Sequence, residues 1–248
     1  MKVVRILALA ATVGMAPVQA DTFFGVHAGY DSWQAGTKGG FANSQQLQDF
    51  SFRDKNQQGY YLAFEHLVPV LPNLRVQWQN LQSQGHTELN NSFSFGGATF
   101  AAGTALSTEL DFRYTDYVLY YELLDNSLLQ LDLGLVAKKL SGELTIMAAN
   151  RQASQSVRQW LPLLYLDSRL GLPGSGLELF ANGQASQFSG NHWYDLQAGV
   201  AYQLVDSLTL DVRLKLGYRW MDLQLDDIDD LYAGITFSGI FAGIAVHF

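Results

Sequence analysis

Nine carboxylates and six cations of this chain fall at alternate positions of segments whose remaining positions are apolar, and that spacing decides what chemistry they can do. The acids are Asp31, Glu65, Asp116, Glu122, Asp132, Asp167, Glu178, Asp195 and Asp211, and the bases are Arg75, Lys138, Arg169, Arg213, Lys215 and Arg219. A period of two puts each of them on the polar face of a β-strand. If those faces line a narrow enclosed space, opposite charges pair there, because an unpaired buried ion is costly. The expected lumen cluster is Asp132, Asp167, Arg169, Asp195, Asp211, Arg213, Lys215 and Arg219, with Phe180, Phe237 and Phe241 on the same side filling space. Left unpaired, the same charges would line a pore.

Catalysis is a poorer fit. Of the five histidines, His27 lies among glycines, His66 at a strand end, His86 and His192 in outer connections and His247 beside the terminus, and none has a serine two residues away on its strand face. His192, close to Trp193 and Asp195, is the best candidate among them. The run Asp226, Asp227, Asp229 and Asp230 lacks calcium-loop spacing and reads as a solvated connection. With no cysteine in the chain there is neither a disulfide frame nor a thiolate. No catalytic residue, cofactor or metal site is expected.

The elements that position the charges follow from the apolar phase. Residues 208–220, LTLDVRLKLGYRW, alternate without a slip and end in Tyr218 and Trp220, residue types that favour a membrane interface. The same ruler finds strands at 22–33, 59–67, 74–82, 109–124, 127–139, 161–172, 177–187, 193–204 and 231–248. Ten is an even number, as a closed antiparallel transmembrane β-barrel requires, with eight as the alternative count. Residues 109–124 are ambiguous: Leu110, Phe112 and Tyr114 are apolar on one phase, Tyr117, Leu119, Tyr121 and Leu123 on the other. The later phase is taken as lipid-facing, since the earlier one would put Asp116 in lipid; a bulge between the halves is the alternative. Tyr194 and Tyr202 share a face eight residues apart, roughly 20 Å along the membrane normal for a strand tilted by about 40°. That separation suits two aromatic girdles.

Connections sort by length. Residues 68–73, 125–126, 173–176 and 205–207 are short and turn-like, hence periplasmic, whereas 35–58, 83–108 and 140–159 are long, polar and expected outside. Within the second long segment, SFSFGGATF at 92–100 is expected to pair as a small hairpin above the membrane.

At the N-terminus, Lys2 and Arg5 precede an apolar run over 6–15, then Pro17 and Val18-Gln19-Ala20, the pattern of a cleaved secretory signal over residues 1–20. The run is well short of the roughly 20 residues of a helical span, which leaves one barrel domain over 21–248. A pI near 4.9 and a net charge of −8 argue against nucleic acid as a partner. A mean hydropathy of +0.01 is low for a helical membrane protein and natural for a barrel.

The start Phe24-Gly25-Val26, residues 170–173, Leu216-Gly217-Tyr218-Arg219 and the ending 239–248 resemble small Gram-negative outer-membrane β-barrel proteins, distantly those of the OmpW group. In such proteins an ending like Gly243, Val246 and Phe248 acts as an assembly signal. The resemblance implies export through the periplasm, insertion by the barrel-assembly machinery, and outer-membrane lipids and lipopolysaccharide as surroundings. The OmpW group is regarded as eight-stranded channels for small hydrophobic molecules, and ten strands depart from that. The expected function is therefore a non-enzymatic structural envelope protein with a salt-bridged lumen and long surface loops. The alternative is a narrow channel or a binding protein for small, hydrophobic solutes.

Overall fold

The two-residue alternation becomes ten long strands in the computed structural model, which describes residues 24–126, 128–207 and 209–248. The expected signal segment and Leu208 lie outside the described residues. The strands are β1 (Phe24–Ala42), β2 (Lys55–His66), β3 (Asn73–Glu88), β4 (Ala105–Asp125), β5 (Leu129–Ala148), β6 (Arg151–Leu172), β7 (Leu177–Phe188), β8 (Asn191–Asp206), β9 (Asp211–Ile228) and β10 (Leu231–His247). Each pairs antiparallel with its neighbours in chain order, and β10 returns to β1 in a register running from His27 opposite His247 to Ala42 opposite Tyr232. Phe248 prolongs this seam, its N–H donating to Val26 O at 2.9 Å and its carbonyl accepting from Val26 N at 3.3 Å. The all-β, closed ten-stranded antiparallel barrel expected from the sequence is the observed fold, and closure leaves the sheet without a free lateral edge over the membrane-spanning part.

Outside, the part of the wall nearer the short turns is apolar. Leu62, Leu119, Leu135, Leu166, Leu196, Leu216 and Ile240 are all exposed on it. Aromatic pairs rim its upper edge, Tyr30 with Tyr60, Tyr117 with Trp160 and Tyr194 with Trp220. Phe24, Phe64, Tyr202 and Phe248 lie near the short-turn end. This is the belt that a bilayer demands of a barrel.

The strands do not stop at the upper rim, and here the structure corrects the expected boundaries. Residues 140–159, expected as a surface loop, are the continuation of β5 and β6, paired from Arg151 opposite Ala148 to Leu170 opposite Leu129. Likewise β9 runs on past Trp220 to Ile228. Above the rim the facing reverses. Leu140, Leu144, Ile146, Met221, Leu223 and Leu225 point inward and are buried, while Ser141, Glu143, Asp222 and Gln224 take the outer face. The physical cause is the medium outside the wall, lipid below and water above.

The same reversal explains the ambiguity in β4. Its register against β5 is unbroken from Ser107 opposite Met147 to Glu122 opposite Asp132, with a shift only after Glu122, and against β3 it is continuous. No bulge separates the halves. Leu110, Phe112 and Tyr114 face the interior above the rim, and Tyr117, Leu119, Tyr121 and Leu123 face lipid below it.

Two long connections remain. Residues 43–54 fold back so that Phe50 stacks on Phe41. In residues 89–104 the expected hairpin forms, Phe93–Phe95 against Ala98–Phe100. It does not stand free above the membrane: Phe95 is fully buried against Phe41, so the hairpin caps the apolar upper interior. Because β7 pairs with β6 only below Leu164, the upper edge of β6 is blocked by other means. Pro162 offers no N–H, the Arg158 N–H donates to Asp229 Oδ2 at 3.2 Å, and the hairpin tip at Gly96 packs on the Ser154 backbone.

Candidate functional site

Within the membrane-spanning part the inner faces of the strands carry the charges. Adjacent strands in register bring Lys138 on β5 directly opposite Asp116 on β4, and Lys138 Nζ donates to both carboxylate oxygens at 2.7 and 2.8 Å. Both side chains are almost entirely buried, at 0% and 1% exposure. The ammonium also lies 3.6 Å from the centroid of Tyr114 and 4.7 Å from that of Trp193, whose rings meet edge to face. A buried ion held on all sides in this way is satisfied, where a bare one would be prohibitive.

Arg219 on β9 reaches farthest. Its guanidinium donates to Asp195 Oδ1 and Oδ2 on β8 at 2.8 and 2.6 Å, to Gln79 Oε1 on β3 at 2.9 Å and to Tyr114 Oη on β4 at 2.9 Å. In a ring of ten strands β4 and β9 are opposite walls. The Arg219–Tyr114 bond therefore crosses the full lumen, and Trp33 of β1 lies under the guanidinium at 4.7 Å.

Nearer the short-turn end the pairs are more local. Arg169 with Asp167 and Arg213 with Asp211 are two-residue neighbours on one strand face, at 3.0 and 2.5 Å. Asp167 also accepts from Asn182 at 2.8 Å. Lys215 of β9 sits 2.8 Å from Asp31 of β1, bridging over the intervening β10 at Gly243. A Cβ at Gly243 would lie 1.9 Å from Asp31 Oδ1, so the missing side chain is what lets this pair meet. Glu65 accepts from Tyr120 at 2.7 Å and bonds His27 at 2.7 Å, and the His27 ring stacks on that of His247 at 4.0 Å.

Seven of the eight residues expected in the charge cluster are thus in ion pairs within it or with Asp31. The exception is Asp132. Register places it between Glu122 and Asp167, and no cation among the described residues lies within pairing distance of it. The neutral residues around these charges, Gln79, Tyr114, Tyr120, Tyr165 and Trp193, were not expected as part of the cluster. Their signal was present, since each sits on the inward phase of its strand.

The histidine thought best placed for chemistry has a different setting from the expected one. His192 lies in β8, not in a loop, and Asp195 faces the lumen away from it. On the outer wall His192 Nε2 meets Asp222 Oδ2 at 2.7 Å, Thr236 Oγ1 donates to the other oxygen of Asp222 at 2.6 Å, and Tyr194 stacks on the imidazole. His86 is also in a strand, β3, and exposed. Among the described residues no group of three or more His, Asp or Glu is arranged to hold a metal ion.

Comparison of folds leads to the same architecture. The outer-membrane protease OmpT of Escherichia coli superposes with a TM-score of 0.58 over 90% of this chain and 96% of its own, at 9% sequence identity. The transport unit of the autotransporter AIDA-I of E. coli, at 9% identity over 94% of this chain and 92% of its own, gives 0.46. Ail, the attachment invasion locus protein of Yersinia pestis, at 10% identity over 91% and 97%, gives 0.34. No family model and no curated protein sequence matches the chain. At such identities the likeness is one of fold alone: this chain is a transmembrane β-barrel of the kind that Gram-negative outer membranes hold.

Proposed function

We propose that the protein is a non-enzymatic integral barrel of a Gram-negative outer membrane, a structural envelope component whose lumen is kept closed. The observation that carries this reading is Arg219, bonded at once to β3, β4 and β8 across the barrel. Above it the interior is a packed, mainly apolar core capped by the 93–100 hairpin; below it the charges are mostly paired. A channel, the role that the OmpW resemblance implied, would need a path past both. A distant kinship with that group remains part of the proposal only in its terminal motifs.

The absence of enzymatic activity is argued from the His192 site. Thr236 bonds Asp222 rather than the imidazole, so no hydroxyl is placed for the histidine to activate. Outer-membrane lipids and lipopolysaccharide would surround the apolar belt, and the barrel-assembly machinery would read the strand that ends in Phe248. Purified barrel reconstituted in planar bilayers tests the central point. Silence is the expected record, and a steady ion conductance overturns the closed-lumen reading.

A further inference from the structure

We propose that the short-turn end of the lumen binds a small monocarboxylate, recognised by Arg75. This goes beyond a structural role and concerns a cavity of about 40 Å³, whose lining includes His27, Arg75, Arg169, Glu178, Arg213 and His247. Space of that size holds a few water-sized groups, which suits an anion no larger than formate or acetate.

The charges around this cavity are unusual for an acidic chain. Arg75, Arg169, Arg213 and Lys215 face Asp167, Glu178 and Asp211. Three of the cations are committed: Arg169 to Asp167, Arg213 to Asp211 and Lys215 to Asp31. Arg75 is not. Among the described residues no carboxylate lies within ion-pair distance of it, although it is only 7% exposed. Its guanidinium rests on the Tyr61 ring at 3.7 Å, and one terminal nitrogen donates to Tyr165 Oη over a long 3.4 Å. Its Nε has no partner.

A buried, unpaired cation carries a penalty that surplus acids in the same lumen could have removed. Here the chain leaves it open beside a cavity. A guanidinium with a free edge matches the two oxygens of a carboxylate better than it matches a spherical ion. Glu178 on the cavity wall disfavours a second negative charge, hence a monoanion.

The test is saturation-transfer NMR with acetate on the folded barrel in detergent micelles. Saturable binding in the millimolar range is expected. Arg75→Gln, with folding checked by its heat-modifiable band, should weaken binding by about tenfold or more, and Arg75→Lys, which keeps charge but loses the fork, should weaken it too. Glu178→Gln should tighten binding several-fold. The proposal is overturned by absent or non-saturating binding in the wild type, by unchanged binding in Arg75→Gln, or by chloride displacing acetate at equal concentration, which would mark a mere counter-ion site. If Arg75→Gln does not fold, unchanged binding in Glu178→Gln overturns it instead.

Discussion

Replacing Lys138 by Met should be among the most damaging single changes in the lumen, and the pair it belongs to shows why. The substitution keeps the volume but strands the Asp116 carboxylate, which is 1% exposed and accepts both of its close charged hydrogen bonds from Lys138. Breaking a buried pair by removing one partner costs about 3–5 kcal/mol. Asp116→Leu should cost a similar amount by leaving the ammonium alone. The double variant removes both ions, and an apolar replacement of a whole buried pair ranges from neutral to about 1–4 kcal/mol stabilising. Against that stands the loss of the cation–π contacts to Tyr114 and Trp193, about 2 kcal/mol when desolvated. The double variant should therefore fall within about 2 kcal/mol of the wild type and be more stable than either single one. Urea unfolding of the barrel refolded in lipid vesicles, followed by circular dichroism at a constant m-value, measures all four corners of the cycle. Additive losses, with the double variant the least stable of the four, would refute the burial and pairing argued for Lys138.

Gly243→Ala should cost about 1–3 kcal/mol by separating Lys215 from Asp31, and the added effect of Lys215→Met should then nearly vanish; a full additional loss would show that the pair does not depend on the glycine. Leu214→Arg should cost roughly 2–4 kcal/mol at the lipid face and Lys215→Leu much less in membrane compatibility, while spin labels at 212, 214 and 216, but not at 211, 213 and 215, should contact acyl chains. Equal contact for both sets contradicts the facing of β9. Deleting Phe248 removes the terminal backbone pair with Val26 and should reduce the heat-modifiable folded band in outer-membrane fractions; a normal band counts against the assembly signal. Glu122→Leu combined with Asp132→Leu should divert part of the chain to the inner-membrane fraction on a density gradient, and an unchanged distribution refutes the argument made for those residues below.

The strand ruler worked where the outside is lipid and the inside polar, because there the apolar phase marks the outer face without competition. It stopped at Trp220, at Lys139 and before residue 161 for one reason: the apolar phase changes faces at the upper rim. Leu140, Leu144 and Ile146, with Ala153 and Val157 opposite, still alternate through the stretch expected as a loop. Their polar neighbours made the segment look solvated, and half of it is. In β4 both phases are visible in the sequence, and the later one, expected to face lipid, does so; the bulge given as the alternative is absent, and the change of medium at the rim accounts for the earlier phase. The cluster of charges was legible by facing, since period two fixes that. Its partners were not, because they depend on register and closure. Lys138 meets Asp116 through strand register, Lys215 meets Asp31 across a glycine, and Arg219 meets Tyr114 only because the sheet closes into a ring of ten.

Why the membrane-spanning half should keep a charged interior, when the upper half of the same lumen is packed with Leu, Ile and Phe, follows from the hairpins rather than from single strands. Over residues 117–137, which include the β4–β5 turn, the charged residues are Glu122, Asp125 and Asp132. With apolar side chains at the two inward positions, the stretch would retain Asp125 alone, and a mainly apolar stretch of roughly 20 residues reads as a helical span. If the chain is exported through the periplasm, as its N-terminal pattern implies, it would cross an inner membrane unfolded, and such a stretch would be a place to stop. Above the rim the constraint is absent, because the outer face is already polar and no continuous apolar run can arise however apolar the inside becomes. On that export route Asp132 would have a reason to be present without a cation beside it: its charge would act on the unfolded chain in transit. In the folded barrel it is buried near the short-turn end, at the fourth residue of β5, between Glu122 and Asp167.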